Sequence, residues 1–205
     1  MRPAIFLDRD GTISEEVGYV NHLSRYRLLP NSLEAIRLAN RAGFLVIVTT
    51  NQSGVARGYF EESLVRQVHD RLRELAVAAG ARLDGIYYCP HHPREGSPPY
   101  RADCDCRKPR PGMLLRAARE HRVDLARSYA IGDGLPDIEA AAAAGVPGIL
   151  VLTGYGRGLR EHQPHRFTTV PVHTAEDLLA AVRWILSRGS RAAIGGPAPE
   201  EEGRP

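Results

Sequence analysis

Two aspartates, Asp8 and Asp10, stand directly after an apolar run, Ala4–Leu7, and directly before Gly11-Thr12. Side chains at i and i+2 leave a strand on the same side, and Gly11 lets the chain turn sharply just beyond them. Two carboxylates this close repel unless a cation lies between them or one is protonated. Both conditions serve chemistry. A carboxylate nucleophile divides one difficult displacement into two easier ones, and a neighbouring carboxylic acid can protonate a leaving group and then activate water. For two acids alone a solvated acidic turn is an equal alternative. The buried run before them and the Gly-Thr after them favour the chemical reading.

Three further groups carry chemistry of the same kind. Val48-Thr49-Thr50-Asn51-Gln52-Ser53-Gly54 follows an apolar run with a turn rich in hydroxyls and amides, which offers donors to an oxyanion; locally satisfied turn side chains are the plain alternative. Gly132-Asp133 ends another apolar run, with Asp137 four residues on. Hard oxygens from separate strand ends suit Mg²⁺, while Asp137 serves equally well as a first-turn helix acid. Among 27 basic residues Lys108 is the single lysine, and every other is arginine. A compact ammonium and a planar guanidinium do not interchange at a tight anion site, and the position of Lys108 in a long Pro-, Cys- and His-rich connection argues against chance.

All 3 cysteines fall in that connection, as Cys89-Pro90-His91-His92 and Cys104-Asp105-Cys106. An odd, clustered set argues against a disulfide framework. Three thiolates and one imidazole complete a tetrahedral, structural Zn²⁺ shell, with His91 or His92 as the fourth ligand.

The elements that must position these residues alternate. Strands are expected at Ala4–Leu7, Phe44–Thr49, Gly85–Tyr88, Ser128–Ile131 and Gly148–Leu152. Helices are expected at Asn31–Arg41 (Asn31 or Ser32 as cap), Glu61–Ala79, Gly112–Glu120, Pro136–Ala144 and Thr174–Arg188, the last capped by Thr174. Such alternation predicts an α/β fold with an open, doubly wound parallel sheet, whose ligands lie beyond the carboxyl ends of the strands. One folded body is expected over residues 1–188, with a zinc loop at 89–111 and a disordered Gly/Pro/Glu-rich tail at 189–205.

The composition is ordinary for a globular chain: 205 residues, 43% hydrophobic and 25% charged, with a net charge of +3. No apolar run approaches the ~20 residues of a membrane span, and no secretory signal is read at the N-terminus. A cytoplasmic monomer with no membrane partner is expected. The mild charge suits a small anionic substrate, and the lack of an aromatic-plus-basic stripe argues against a zinc-stabilised nucleic-acid-binding domain.

Asp8-Arg9-Asp10-Gly11-Thr12 resembles the first motif of the haloacid dehalogenase superfamily of phosphatases. The resemblance makes Asp8 the nucleophile and Asp10 the general acid and base. Thr50 matches the hydroxyl that holds the phosphoryl group, with Asn51 positioning the same oxygens. Lys108 matches the lysine that neutralises that group, and Arg107 is similar to a substrate-recognition arginine. Mg²⁺ falls to Asp8, Asp133 and the backbone carbonyl of Asp10. The zinc loop and Asn51–Gly58 resemble one branch, which contains heptose-bisphosphate and histidinol-phosphate phosphatases and has no large cap domain. That branch favours His91 over His92, and implies a phosphorylated-sugar pocket lined by Glu16, Val17, Gly18 and Tyr19 together with Gln52 and Ser53. Its heptose members often carry a lysine where Gly134 stands.

Overall fold

Ala4–Leu7 (β1) is buried from end to end and sits in the middle of a six-stranded sheet. The structure, a computed structural model, describes residues 1–194. The other strands are Leu45–Asn51 (β2), Gly85–Cys89 (β3), Tyr129–Gly132 (β4), Gly148–Val151 (β5) and His173–Ala175 (β6). Their order is β3-β2-β1-β4-β5-β6, and every pairing is parallel. The helices are Ser32–Arg41 (α1), Glu62–Ala78 (α2), Gly112–His121 (α3), Leu135–Ala143 (α4), Gly156–His162 (α5) and Leu178–Ile194 (α6).

Alternating side chains of the apolar strands feed two cores. Ile5, Leu7, Val46, Val48, Ile131 and Ile149 pack on one face with residues of α1, α2 and α6. Phe6, Ala4, Leu45, Ile47 and Ala130 pack on the other with α3 and α4. A strand buried on both faces reads as a continuous apolar run, which is why these strands are visible in the sequence. The strand order reverses between β1 and β4. That reversal opens a crevice at the carboxyl ends, and the chain leaving β1 and β4 there carries Asp8 and Asp133.

Several boundaries differ from expectation. β2 runs on through Thr50 and Asn51, and β3 through Cys89. Thr174 does not cap a helix; it pairs with Leu150 in β6, and α6 begins at Leu178. The cap is Asp177, whose Oδ1 accepts the Ala180 N–H at 2.8 Å. Asn31 caps α1 by position in a left-handed conformation, without a side-chain hydrogen bond. The helix α6 continues through Ile194, into the segment expected as a tail; the rest of that segment, 195–205, lies outside the described residues. Among the described residues no helix is long and apolar enough to cross a membrane.

Candidate active site

Lys108 is brought to the crevice from the far end of the long connection and is 5% exposed. Its Nζ donates to Asp8 Oδ1 at 2.7 Å, to the Thr49 carbonyl at 2.7 Å and to Asp137 Oδ1. Burial opposes its charge, but Asp137 and Asp8 more than compensate and raise its pKa, so it stays an ammonium. The lysine backbone is pinned separately. The Asn51 amide donates to the Lys108 carbonyl at 3.0 Å and accepts its N–H at 3.1 Å. Asn51, expected to orient phosphoryl oxygens, lines the cleft and also holds the Lys108 backbone.

Asp8, Asp133 and Asp137 place carboxylate oxygens within 4.8 Å of one another. Burial, the largest cause in each case, pushes Asp8 up to about 7 and Asp133 up to about 8, and the neighbouring carboxylates push the same way. A buried cluster of hard oxygens that resists ionisation fits a divalent cation such as Mg²⁺. Asp133 is seated tightly: a Cβ on Gly11 or on Gly154 would fall 2.2 and 2.1 Å from its Oδ2, and the Tyr155 N–H donates to the same oxygen at 2.8 Å. Asp137 takes the first-turn helix role and adds a contact that the sequence did not suggest. Its Oδ2 accepts the Gly134 N–H at 3.0 Å in the first turn of α4, while its Oδ1 meets Lys108.

The Asp10 carboxylate lies outside that cluster, engaged by Arg9, Gln52 and Ser14. Despite burial, Arg9 lowers its pKa below the ordinary aspartate value. Thr50 accepts from Gln52 Nε2 at 3.0 Å.

A cleft of about 200 Å³ collects most of the expected residues. Asp8, Asp10, Thr50, Lys108 and Asp133 line it, together with Asn51, Gln52, Ser53, Glu16, Gly18 and Tyr19. Two expected residues are not among its lining. Val17 packs against the core, and Arg107 is turned back to donate to the His91 carbonyl at 3.3 Å.

Cys89, His91, Cys104 and Cys106 converge beside the cleft. Cys89 and Cys104 sulfurs are 3.5 Å apart, those of Cys104 and Cys106 3.3 Å, and His91 Nδ1 lies 3.7 and 3.4 Å from Cys89 and Cys106. A tetrahedral shell with Zn–S bonds of ~2.3 Å has edges of ~3.5–3.8 Å, so the donor set fits zinc. His92 is engaged elsewhere: its Nδ1 accepts the Arg94 and Glu95 N–H groups and its Nε2 faces Arg57 at 3.2 Å. The loop tip also docks on the turn after β2, where Arg57 pairs with Glu95 and Gly96 lies so close to the Ala56 carbonyl that a Cβ would clash.

Residues 105–181 match a family model described as HAD-hydrolase-like. A D-glycero-D-manno-heptose-1,7-bisphosphate 7-phosphatase of Thermosynechococcus vestitus is 45% identical over 190 residues, covering 91% of this chain and 96% of the relative. The chain belongs to this heptose-bisphosphate phosphatase family. A second member, the D-glycero-beta-D-manno-heptose-1,7-bisphosphate 7-phosphatase of Escherichia coli K12, is 46% identical over 153 residues, 74% of this chain and 80% of the relative. The crystal structure of D,D-heptose 1,7-bisphosphate phosphatase from B. bronchiseptica, complexed with magnesium and phosphate, matches with a TM-score of 0.80 at 37% identity, covering 91% of this chain and 99% of that one.

In this member of the family, sequence reasoning passed over several site residues. Gly154 and Tyr155 follow β5 and close around Asp133, and Thr153 Oγ1 donates to the Gly11 carbonyl at 2.6 Å. The strand-end rule would have found them, since β5 also points its carboxyl end at the crevice. Arg9 and His69 gave no signal, because nothing in their spacing shows that they are buried.

Proposed function

We propose that the chain is a Mg²⁺-dependent phosphatase that removes the 7-phosphate of D-glycero-D-manno-heptose 1,7-bisphosphate, leaving heptose 1-phosphate for nucleotide-heptose synthesis. What supports this reading most is the near full-length identity to a named heptose-bisphosphate phosphatase, in a chain whose Lys108 ammonium is held on the Asp8 carboxylate. A cleft of about 200 Å³ suits the phosphoryl end of a sugar phosphate, with the rest of the sugar against Glu16, Gly18 and Tyr19.

Asp8 attacks phosphorus in line, and the bond to the sugar oxygen breaks. Asp10, held as a carboxylate by Arg9, takes a proton from the bound phosphomonoester monoanion and passes it to that oxygen, so the sugar leaves as an alcohol. Asp10, again a carboxylate, takes a proton from water as the water attacks the aspartyl-phosphate, which releases phosphate and restores Asp8. Lys108 and the Thr50 hydroxyl hold the charge on the phosphoryl oxygens, and Asn51 keeps Lys108 in place. Asp8, Asp133 and the Asp10 carbonyl would hold Mg²⁺, which supplies charge neutralisation to the phosphoryl group. Positioning and electrostatics supply most of the rate in reactions of this class. Zn²⁺ on Cys89, His91, Cys104 and Cys106 is structural in this reading. The enzyme acts as a cytoplasmic monomer on a small phosphorylated sugar.

A panel of phosphomonoesters, scored by phosphate release, tests the substrate. The heptose bisphosphate should exceed histidinol phosphate and simple sugar monophosphates in kcat/KM by at least about a hundredfold. Equal rates across the panel would leave the chemistry and remove the sugar.

A further inference from the structure

Arg9 is 1% exposed, the largest of the fully buried side chains. A buried guanidinium is costly unless it is paired and hydrogen-bonded, so its partners explain why it is there. It lies between Asp8 and Asp10 in sequence, and its fork closes on Asp10: Nε reaches Oδ1 at 3.0 Å and Nη2 reaches Oδ2 at 2.7 Å. The opposite edge of the guanidinium rests on α2, where Nη1 meets His69 Nε2 at 3.1 Å, and Arg9 lies 5.8 Å from the Tyr26 ring centroid. His69 is 3% exposed. Burial, and then Arg9, push its pKa down to about 3, so it is a neutral acceptor toward Arg9.

The two remaining donors to Asp10 divide by position. Ser14 Oγ reaches Oδ1 at 3.3 Å from the protein side, and Gln52 Nε2 reaches Oδ2 at 2.8 Å. Gln52 and Asp10 line the cleft, whereas Arg9, Ser14 and His69 do not. When the Ser14 hydroxyl turns to Asp10 rather than to the Arg9 carbonyl at 3.2 Å, all four lone-pair directions of the carboxylate are occupied, three from behind and one from the cleft. A bidentate fork fixes the plane of a carboxylate as well as its distance, and only the cleft-side partner can give way to a substrate oxygen without disturbing that plane.

We propose that Arg9, braced by His69, is the positioning residue of the acid–base group: its fork sets the Asp10 carboxyl so that the proton travels along the Gln52-facing lone pair to the leaving sugar oxygen. This rests on the acid–base role given to Asp10 above. A displacement of a few tenths of an ångström in a proton donor degrades transfer to a poor leaving group, while a leaving group that departs as a stable anion needs no proton.

The test compares a sugar phosphate, whose alkoxide must be protonated, with p-nitrophenyl phosphate, whose phenolate need not be. kcat/KM reports steps through formation of the aspartyl-phosphate. Arg9→Met should lower kcat/KM on the sugar phosphate by about a hundredfold or more and on the aryl ester by less than about tenfold, with the loss in kcat rather than KM. Arg9→Lys, which keeps charge without the fork, should recover only part of this. His69→Leu, which removes the brace and spares the fork, should show the same selectivity at about tenfold, and it carries the test if the Arg9 variants melt. Equal losses on both esters, or none, overturn the proposal. Asp10→Asn separates the two readings. If it spares the sugar phosphate, the acid–base assignment itself falls; if it shows the selective loss and the Arg9 and His69 variants do not, only the positioning role falls.

Discussion

Lys108 and Asp8 are one hundred positions apart in sequence, and the lysine Nζ lies 2.7 Å from the aspartate Oδ1. The ammonium has no slack: Asp137 and the Thr49 carbonyl take its other two protons. A guanidinium is wider, and its donors lie in one plane, so it cannot meet three acceptors arranged around a point. Lys108→Arg should lower kcat by about a hundredfold or more even though the charge is kept. Steady-state kinetics with phosphate release reads this directly. Wild-type turnover in that variant would return the single lysine of the chain to coincidence.

That contact shows what was and was not legible in the sequence. The buried parallel strands and the periodic helices could be read, because an apolar run or a 3.6-residue stripe announces itself. Strand β6 could not, since His173-Thr174-Ala175 has no apolar run, and α5 could not, since Gly156–His162 is short and carries no stripe. In the site, residue type and strand-end position picked out Asp8, Asp10 and Asp133, and the resemblance added the single lysine, Lys108. Partnerships were less visible. The resemblance gave Asn51 a phosphoryl role, while its bond to Lys108, 57 positions away, could not be read from the sequence. Arg9 gave no signal, because its burial and its fork onto Asp10 appear only in the tertiary fold.

Asp8→Asn removes the proposed nucleophile and keeps its shape. Turnover should become undetectable, a fall of at least about ten-thousandfold. The fold should survive, because Asp137 still pairs with Lys108. Circular dichroism and a phosphate-release assay on the same sample separate the two effects. Measurable multiple turnover by the folded variant would rule Asp8 out as the attacking group.

The carboxylate cluster ties stability to pH with a definite sign. Folding raises Asp8 to about 7 and Asp133 to about 8, well above the ordinary aspartate value. Between pH ~4 and ~8 the metal-free folded protein therefore binds more protons than the unfolded chain, and this contribution to stability falls as pH rises through that window. Mg²⁺ binds the deprotonated form, so its stabilising effect should grow in the same window. Melting curves with and without Mg²⁺ should differ little at pH 5 and most at pH 8. A Mg²⁺ shift that shrinks with rising pH would contradict the cluster as the binding site.

Gly11 has a φ of +83°, and a methyl group there would fall 2.2 Å from Asp133 Oδ2. The first cost is conformational. The second is specific: Asp133 is hemmed in by Gly154 and Tyr155 on its other sides and cannot retreat. Gly11→Ala should weaken Mg²⁺ binding by about tenfold or more and lower stability by ~1–3 kcal/mol. Titration of activity with Mg²⁺ reads the first effect. Unchanged Mg²⁺ dependence would mean that Asp133 is not a ligand.

Zinc should affect catalysis although Cys89, Cys104 and Cys106 do not line the cleft. Cys106 is two residues from Lys108, and consecutive Cα atoms are held ~3.8 Å apart, so a cysteine released from the shell frees the segment that carries the ammonium. Asn51 pins the Lys108 backbone by two hydrogen bonds only, worth ~1 kcal/mol each. Metal binding by such a shell contributes folding energy outright, which makes the shell the stronger of the two restraints. The purified protein should contain about one zinc per chain. Cys106→Ala should lose the metal, melt several degrees lower, and lose at least about tenfold in kcat, while KM changes less because Glu16, Gly18 and Tyr19 belong to another segment. Full activity in a zinc-free sample would show that the Asn51 clamp alone suffices to hold Lys108 on Asp8.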